Sequence, residues 1–240
     1  MPRRELTILF PAYNEARRIA GTLEQTLAWA RAHLDEFEIL VVDDGSTDGT
    51  ADLVAARFGA QVRLIRRSRR GGKGAAIRTG VEAACQPWIL FSDADLSIPI
   101  GEFEKLWSES AAAPIVIGSK RAPGGKLEYP ALRRLLGGLG QQLIARSVVS
   151  GFHDTQCGFK LYRADVAREL FRQQRIDGFG FDFELLMLAR RLGHAVREVP
   201  IHCEHKLGSS VSLRAYLTVL GEIVRIRWNL LRGRYPPPRT

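Results

Sequence analysis

Short apolar runs alternate with amphipathic stretches through the first half of the chain. Leu6 to Phe10 is an apolar run ended by Pro11, which predicts a buried strand. From Glu15 to about Leu34, Ile19, Leu23, Leu27 and Ala30 recur at helical spacing. Glu38 to Val42 predicts a second strand, and Ser46 to Thr50 supplies small caps for a helix through Phe58. Val62 to Ile65 follows as a third strand, and Gly72-Lys73-Gly74 opens a helix through Ala84. Trp88 to Phe91 is a fourth strand, 101–110 a helix, and Ile115 to Gly118 a fifth strand.

After about residue 120 the rhythm changes. The Gly- and Arg-rich loop RAPGGKLEYPALRR leads to a helix through about Val149, then to a polar turn, HDTQCGFKLYR. Two more helices and a strand near Val196–Ile201 complete this half, which reads as the lid and acceptor side of the same domain. From Leu213 a basic amphipathic helix is expected. Leu213, Tyr216, Leu217, Leu220, Ile223, Val224, Trp228 and Leu231 fall on one side, and Arg214, Arg225, Arg227, Arg232 and Arg234 supply base. Such a helix lies on an anionic membrane, packs on the core, or joins two copies. The tail RYPPPRT is the one stretch expected to be disordered.

Strands alternating with helices imply an α/β fold with a parallel sheet covered on both faces. Ligands of such sheets sit at the carboxyl ends of the strands. There the apolar run ILVV stops at Asp43 and Asp44, and WILFS stops at Asp93-Ala94-Asp95. The acids therefore gather along one edge.

Length and charge narrow the reading. With 240 residues, 45% of them hydrophobic, the chain holds one large domain or one with an appendage. A net charge of +9 points to an anionic partner: nucleic acid, anionic lipid or a phosphorylated ligand. No RRM, KH, zinc-finger or helix-turn-helix signal supports nucleic acid. Cys85, Cys157 and Cys203 lack CxxC spacing, against a disulfide framework and against zinc, and a reducing compartment is the simplest setting. The N-terminal apolar run is too short for a signal peptide, and no stretch approaches the ~20 apolar residues of a membrane span. Work on a membrane would be done from its surface.

Two carboxylates one residue apart after a strand, Asp93 and Asp95, can share a hard divalent cation with a diphosphate, and magnesium or manganese suits oxygen ligands. Asp43 can accept hydrogen bonds from a base N–H or ribose hydroxyls, while Asp44 reads mainly as a turn cap beside Gly45. In Pro11-Ala12-Tyr13-Asn14-Glu15, Tyr13 could pack on a base and Glu15 bond to it; taken alone, the stretch reads as a helix-capping turn. Gly71-Gly72-Lys73-Gly74 at a helix start favours an anion, or is a capped basic loop. Its spacing matches neither GxxxxGK[ST] nor GxGxxG.

PAYNE, VVDDGSTDGT, GGKGAAIRTG and SDADLS, in this order, resemble the family 2 glycosyltransferases of GT-A fold over roughly residues 5–210. GSKR at 118–121, DTQCGFK at 154–160 and HKLGSSVS at 205–212 resemble the dolichyl-phosphate glucosyl- and mannosyltransferases within that family. The resemblance implies a GT-A domain over 1–212, followed by a basic amphipathic helix and proline-rich tail over 213–240. It implies a nucleotide site at Pro11, Ala12, Tyr13, Glu15 and Asp43; Lys73 and Gly74, at the helix start that favours an anion, are expected beside it. It implies a divalent Mg2+ or Mn2+ on Asp93 and Asp95, spanning Ala94. Ser97 stands where the mannosyl branch carries a glutamine, which weakens that assignment. Arg121, Arg133 and Arg134 fall where the subgroup clusters phosphate-binding arginines, and Lys206 with Ser209 in a late loop that closes over the diphosphate. Asp154 is the expected catalytic carboxylate, as a base or as a group orienting a basic residue or the sugar. A phosphate acceptor is already anionic near neutral pH and hardly needs a base.

The implied activity is inverting transfer of a hexose, from UDP-glucose first and GDP-mannose second, to a polyprenyl phosphate. A soluble or saccharide acceptor is the alternative. The expected setting is cytoplasmic, peripheral at the inner face of a membrane, by the C-terminal helix, a membrane-anchored partner or a homo-oligomer.

Overall fold

The computed structural model describes residues 3–124, 126–127, 149, 151–204 and 213–239. The expected helix ending near Val149, with Arg133 and Arg134, lies outside the described residues, as does the late loop with Lys206 and Ser209.

Strands β1 (Glu5–Ala12), β2 (Glu36–Asp43), β3 (Arg63–Arg66) and β4 (Trp88–Ser92) alternate with helices α1 (Ile19–His33), α2 (Thr50–Phe58) and α3 (Lys73–Ala83). A short 3-10 turn at Ile100–Glu102 leads into α4 (Phe103–Ser108), then β5 (Ile115–Ser119) and β6 (Lys126–Leu127). Next come β7 (Phe159–Arg163), α5 (Ala164–Gln173), α6 (Phe181–Arg191), β8 (Val196–Pro200), β9 (His202–Cys203) and α7 (Leu213–Leu231). Seven strands form one sheet in the order β3-β2-β1-β4-β7-β5-β8, and β6 pairs with β9 beside it.

The sheet is mostly parallel, as expected, but β7 runs antiparallel to both β4 and β5. Its sequence, FKLYR, reads as part of a polar turn and is instead a central strand. The reason is Lys160. Its ammonium is fully buried and satisfied by Asp182 of α6 and by the Thr155 carbonyl, 2.9 Å away. A charge at a core position hides the strand from a hydrophobicity pattern.

Alternate residues of the central strands feed two cores. Leu6, Ile8 and Phe10 of β1 meet Ile19, Leu23, Leu27 and Phe103 on one face. Leu9 joins Ala76, Ile77, Leu170 and Leu185 on the other. Helices on both sides explain why β1, β2 and β4 are apolar almost throughout.

Helix α7 corrects the expected single apolar side. Ile223 and Ile226 are buried in the second core, whereas Leu220, Val224, Trp228 and Leu231 are 38%, 67%, 52% and 82% exposed. The tail is also held. Tyr235 is buried with its hydroxyl on Glu184 at 2.5 Å, and Arg191 Nε donates to the Pro236 carbonyl at 3.0 Å. Arg234 Nη1 donates to Asn229 Oδ1 at 3.2 Å.

Candidate active site

The carboxyl ends of β1, β2 and β4 carry the acidic edge. Ala12 pairs with Asp43 in the β1–β2 register, which sets the first two motifs side by side. Their loops are then stitched together. Asn14 N–H donates to Ser46 Oγ (2.9 Å), Glu15 N–H to Thr50 Oγ1 (2.9 Å), Ala16 N–H to Asp48 Oδ2 (3.1 Å), and Thr47 N–H to Asn14 Oδ1 (2.9 Å). These bonds satisfy a turn in which Asn14 adopts φ 57°.

Asp43 is buried. Its Oδ2 accepts from Ser46 N–H at 3.1 Å, and its Oδ1 has no hydrogen-bond partner among the described residues. A buried carboxylate oxygen left without a donor is costly, so this atom marks a place for a ligand N–H or O–H. The neighbouring Asp44 is structural: it accepts from Arg67 Nη1 (2.6 Å), Gly71 N–H (2.9 Å) and Gly72 N–H (2.8 Å). Of the two readings of Gly71–Gly74, an anion cradle or a capped basic loop, the amides of Gly71 and Gly72 serve the second, since both are spent on Asp44. Gly72 adopts φ 105°, a conformation that favours glycine. Gly74 is buried, and a Cβ there would stand 2.7 Å from Phe181 Cβ, so packing explains this glycine.

Pro11 and Ala12 end β1. Tyr13 is half-buried, and its ring carries the Arg70 guanidinium at 4.1 Å. Glu15 is engaged by Arg18 through two bonds of 2.8 and 2.9 Å. Burial pushes the Glu15 carboxyl up, with Arg18 opposing.

Asp93 and Asp95 follow β4. Lys73 Nζ lies 2.5 Å from Asp93 Oδ1, and Arg18 Nη1 lies 3.8 Å from Asp95 Oδ2. Ala94 between them is buried, and its carbonyl accepts from Thr22 Oγ1 at 2.6 Å. A Cβ at Gly158 would run into the Asp93 carboxylate, so the close approach of the strand β7 entrance needs glycine. The donor set is two hard oxygen ligands, each balanced by a cation of the protein, which fits Mg2+ or Mn2+. Among the described residues no third His, Cys, Asp or Glu completes a protein-only site.

The acceptor side reaches the same edge from β5 and β7. Lys120 follows β5. Its N–H donates to Asp154 Oδ2 at 3.2 Å, and its ammonium stands 3.9 Å from the same oxygen. Burial alone would lower the Lys120 pKa, but the Asp154 carboxylate outweighs it and holds the ammonium well above its ordinary value. Asp93 and Cys157 act on it in the same direction. Asp154 is itself held by Glu198 of β8, whose Oε1 accepts the Asp154 N–H at 2.8 Å. Arg121, one residue beyond Lys120, is half-buried, with its N–H on Ser119 Oγ at 3.3 Å. The sequence reading chose Arg121 and passed over Lys120, Arg18 and Glu198. For Lys120 a signal existed: it is the first charged residue after an apolar run, as Asp43 and Asp93 are.

A mostly parallel seven-stranded sheet flanked by helices, with an acidic edge at its strand ends, is the GT-A fold. Residues 7–171 match the model of glycosyl transferase family 2, and the chain belongs to that family. It is a glycosyltransferase.

A dolichyl-phosphate beta-glucosyltransferase of Trichomonas vaginalis is 35% identical over 235 residues, covering 92% of this chain and 70% of that protein. The human dolichyl-phosphate beta-glucosyltransferase is 29% identical over 264 residues, covering 100% of this chain and 80% of that protein. Among solved structures, glucosyl-3-phosphoglycerate synthase from Mycobacterium tuberculosis with Mn2+, UDP and phosphoglyceric acid superposes with a TM-score of 0.66. It has 20% identity, covering 99% of this chain and 80% of that one, and shares the fold.

Proposed function

We propose that this glycosyltransferase moves a glucosyl residue from UDP-glucose to a polyprenyl phosphate of dolichyl type, with inversion. The observation that carries this reading is Lys120, a half-buried ammonium 3.9 Å from Asp154 and within electrostatic reach of the metal-type acid Asp93. In this reading it is the fixed cation between a donor diphosphate and an anionic acceptor. The names of the relatives support glucose and the lipid phosphate.

In this reading Asp43 Oδ1 accepts from the base, and Tyr13 offers its face once Arg70 moves aside. Asp93 and Asp95 would hold the divalent ion, which when bound supplies charge stabilisation to the departing diphosphate. Lys120 holds the acceptor phosphate against the donor's negative charge, and Asp154, fixed by Glu198, holds Lys120. The acceptor phosphate oxygen forms the new bond to the anomeric carbon. The bond from that carbon to the diphosphate breaks, and the nucleoside diphosphate leaves. No proton needs to be removed from a phosphate already ionised.

Offering UDP-glucose, GDP-mannose and UDP-GlcNAc with Mn2+ and a short polyprenyl phosphate tests this directly. Glycolipid from UDP-glucose is expected; nucleotide release with a soluble sugar phosphate but none with the lipid would overturn the acceptor. Replacing the carboxylate in Asp43→Ala removes a hydrogen bond to a charged acceptor. It should raise KM for the donor about 10- to 100-fold with a smaller change in kcat.

Among the described residues no helix is long and apolar enough to cross a membrane. We assign membrane contact to the outer face of α7, where Leu220, Val224, Trp228 and Leu231 are exposed. Arg225, Arg227 and Arg232 flank that face at helical spacing, and Arg232 lies 4.4 Å from the Trp228 ring centroid. The pair Val224→Glu/Trp228→Glu should weaken co-sedimentation with phosphatidylserine–phosphatidylcholine vesicles by about tenfold or more. A shift in sedimentation coefficient with unchanged vesicle binding would make the face a subunit contact instead.

A further inference from the structure

Lys73 is the most constrained cation of the site. Its ammonium sits 2.5 Å from Asp93, in the position where a cation shared with that carboxylate would compete with it. Behind it stands a second pair, Lys160 and Asp182, fully enclosed under the Phe91 ring, with Lys160 Nζ 5.5 Å from the ring centroid. Asp182 also attracts Lys73, so two carboxylates act on its ammonium. Lys120 approaches from the acceptor side and repels it. The stem of Lys73 leaves the first turn of α3, whose neighbouring amides are held by Asp44 and by the Asp177 carbonyl, at 3.1 Å from Ala75 N–H. The backbone is thus fixed, and only the flexible side chain can answer a change at Asp93.

A divalent ion at Asp93 places two more positive charges next to this ammonium. At a few ångströms that repulsion opposes the shared occupation of Asp93. The arriving diphosphate brings a compensating negative charge to the same edge. Resting on the donor reading above, we propose that Lys73 is an exchangeable internal counter-ion. It neutralises Asp93 in the empty enzyme, is displaced when a divalent ion binds there, and then pairs with the donor diphosphate. Lys73 is in this sense a positioning residue that couples metal to donor. Such coupling is reciprocal: each ligand tightens the other by the same factor.

The test is Mn2+ binding to the full-length protein, followed by the loss of the free-ion EPR signal, with and without UDP. It compares wild type, Lys73→Met and Lys73→Arg. Methionine keeps the stem and removes the charge. Exchange predicts that Lys73→Met binds Mn2+ alone about tenfold more tightly than wild type but equally well when UDP is saturating, so the mutual tightening of metal and UDP is lost. Lys73→Arg should keep the wild-type coupling. If Lys73→Met tightens Mn2+ equally with and without UDP, the ammonium is a stationary repulsive charge and the exchange is overturned. Unchanged Mn2+ binding by the free Lys73→Met variant overturns it too. Should wild type bind neither Mn2+ nor UDP, the donor reading itself fails, and the exchange with it. Circular dichroism of each variant establishes that it is folded, and uridine binding unchanged by Lys73→Met confines the effect to the phosphates.

Discussion

Asp95→Ala should reduce turnover of UDP-glucose by at least about 10²- to 10³-fold, with no recovery at high Mn2+. Asp95 is one of only two acids positioned after β4, and its partner Asp93 is already shared with Lys73. Removing one preorganised electrostatic group aimed at developing charge typically costs that much. The substitution should also leave the fold intact, because the Asp95 carboxylate reaches the chain through Ser97 N–H at 2.9 Å and a long contact with Arg18, both at the edge of the sheet. Initial rates across a Mn2+ series would decide the matter. Full activity regained at high metal would mean that the acid only tunes affinity, and undiminished turnover would remove the acidic pair from the proposed chemistry.

The second large effect concerns stability. Lys160→Met leaves Asp182 buried without its counter-charge, and breaking a buried pair from one side costs about 3–5 kcal/mol. The melting temperature should fall by roughly 10 °C. The Phe91 ring and the Thr155 carbonyl that now contact Lys160 cannot replace its charge. Changing both partners, Lys160→Met with Asp182→Leu, should recover most of the loss, since an apolar pair of similar volume is often neutral or better. Denaturant unfolding of the single and double variants checks this; a double variant no more stable than the single would show that the pair contributes more than mutual neutralisation.

The same residue explains what the sequence concealed. Strands β1, β2, β4 and β5 were visible because both faces of a covered sheet demand apolar side chains. Strand β7 was not, because one of its core positions is charged and its partner, Asp182, lies on another element 22 residues away. The acids after β2 and β4 were legible from their place at the ends of apolar runs. Which oxygen of Asp43 lacks a donor, or that Asp44 and not a ligand takes the amides of Gly71 and Gly72, depends on hydrogen bonds between distant loops. Helical spacing likewise located α7 but not its orientation. Ile226 turned out to face the core and Val224 the solvent, because the inner stripe is chosen by what α5 and α6 present to it, not by the helix itself.

The reversal of β7 has a further consequence. The residues proposed to grip the donor stand at the ends of strands running toward the site edge, on β1, β2 and β4. Asp154 arrives at that edge from the opposite direction, at the start of β7, and Lys120 from β5 beyond it. In the proposed reading the two substrates are therefore served by separate stretches of chain, joined where Gly158 meets Asp93. Such a division would let the acceptor half be rewritten while the nucleotide grip is kept.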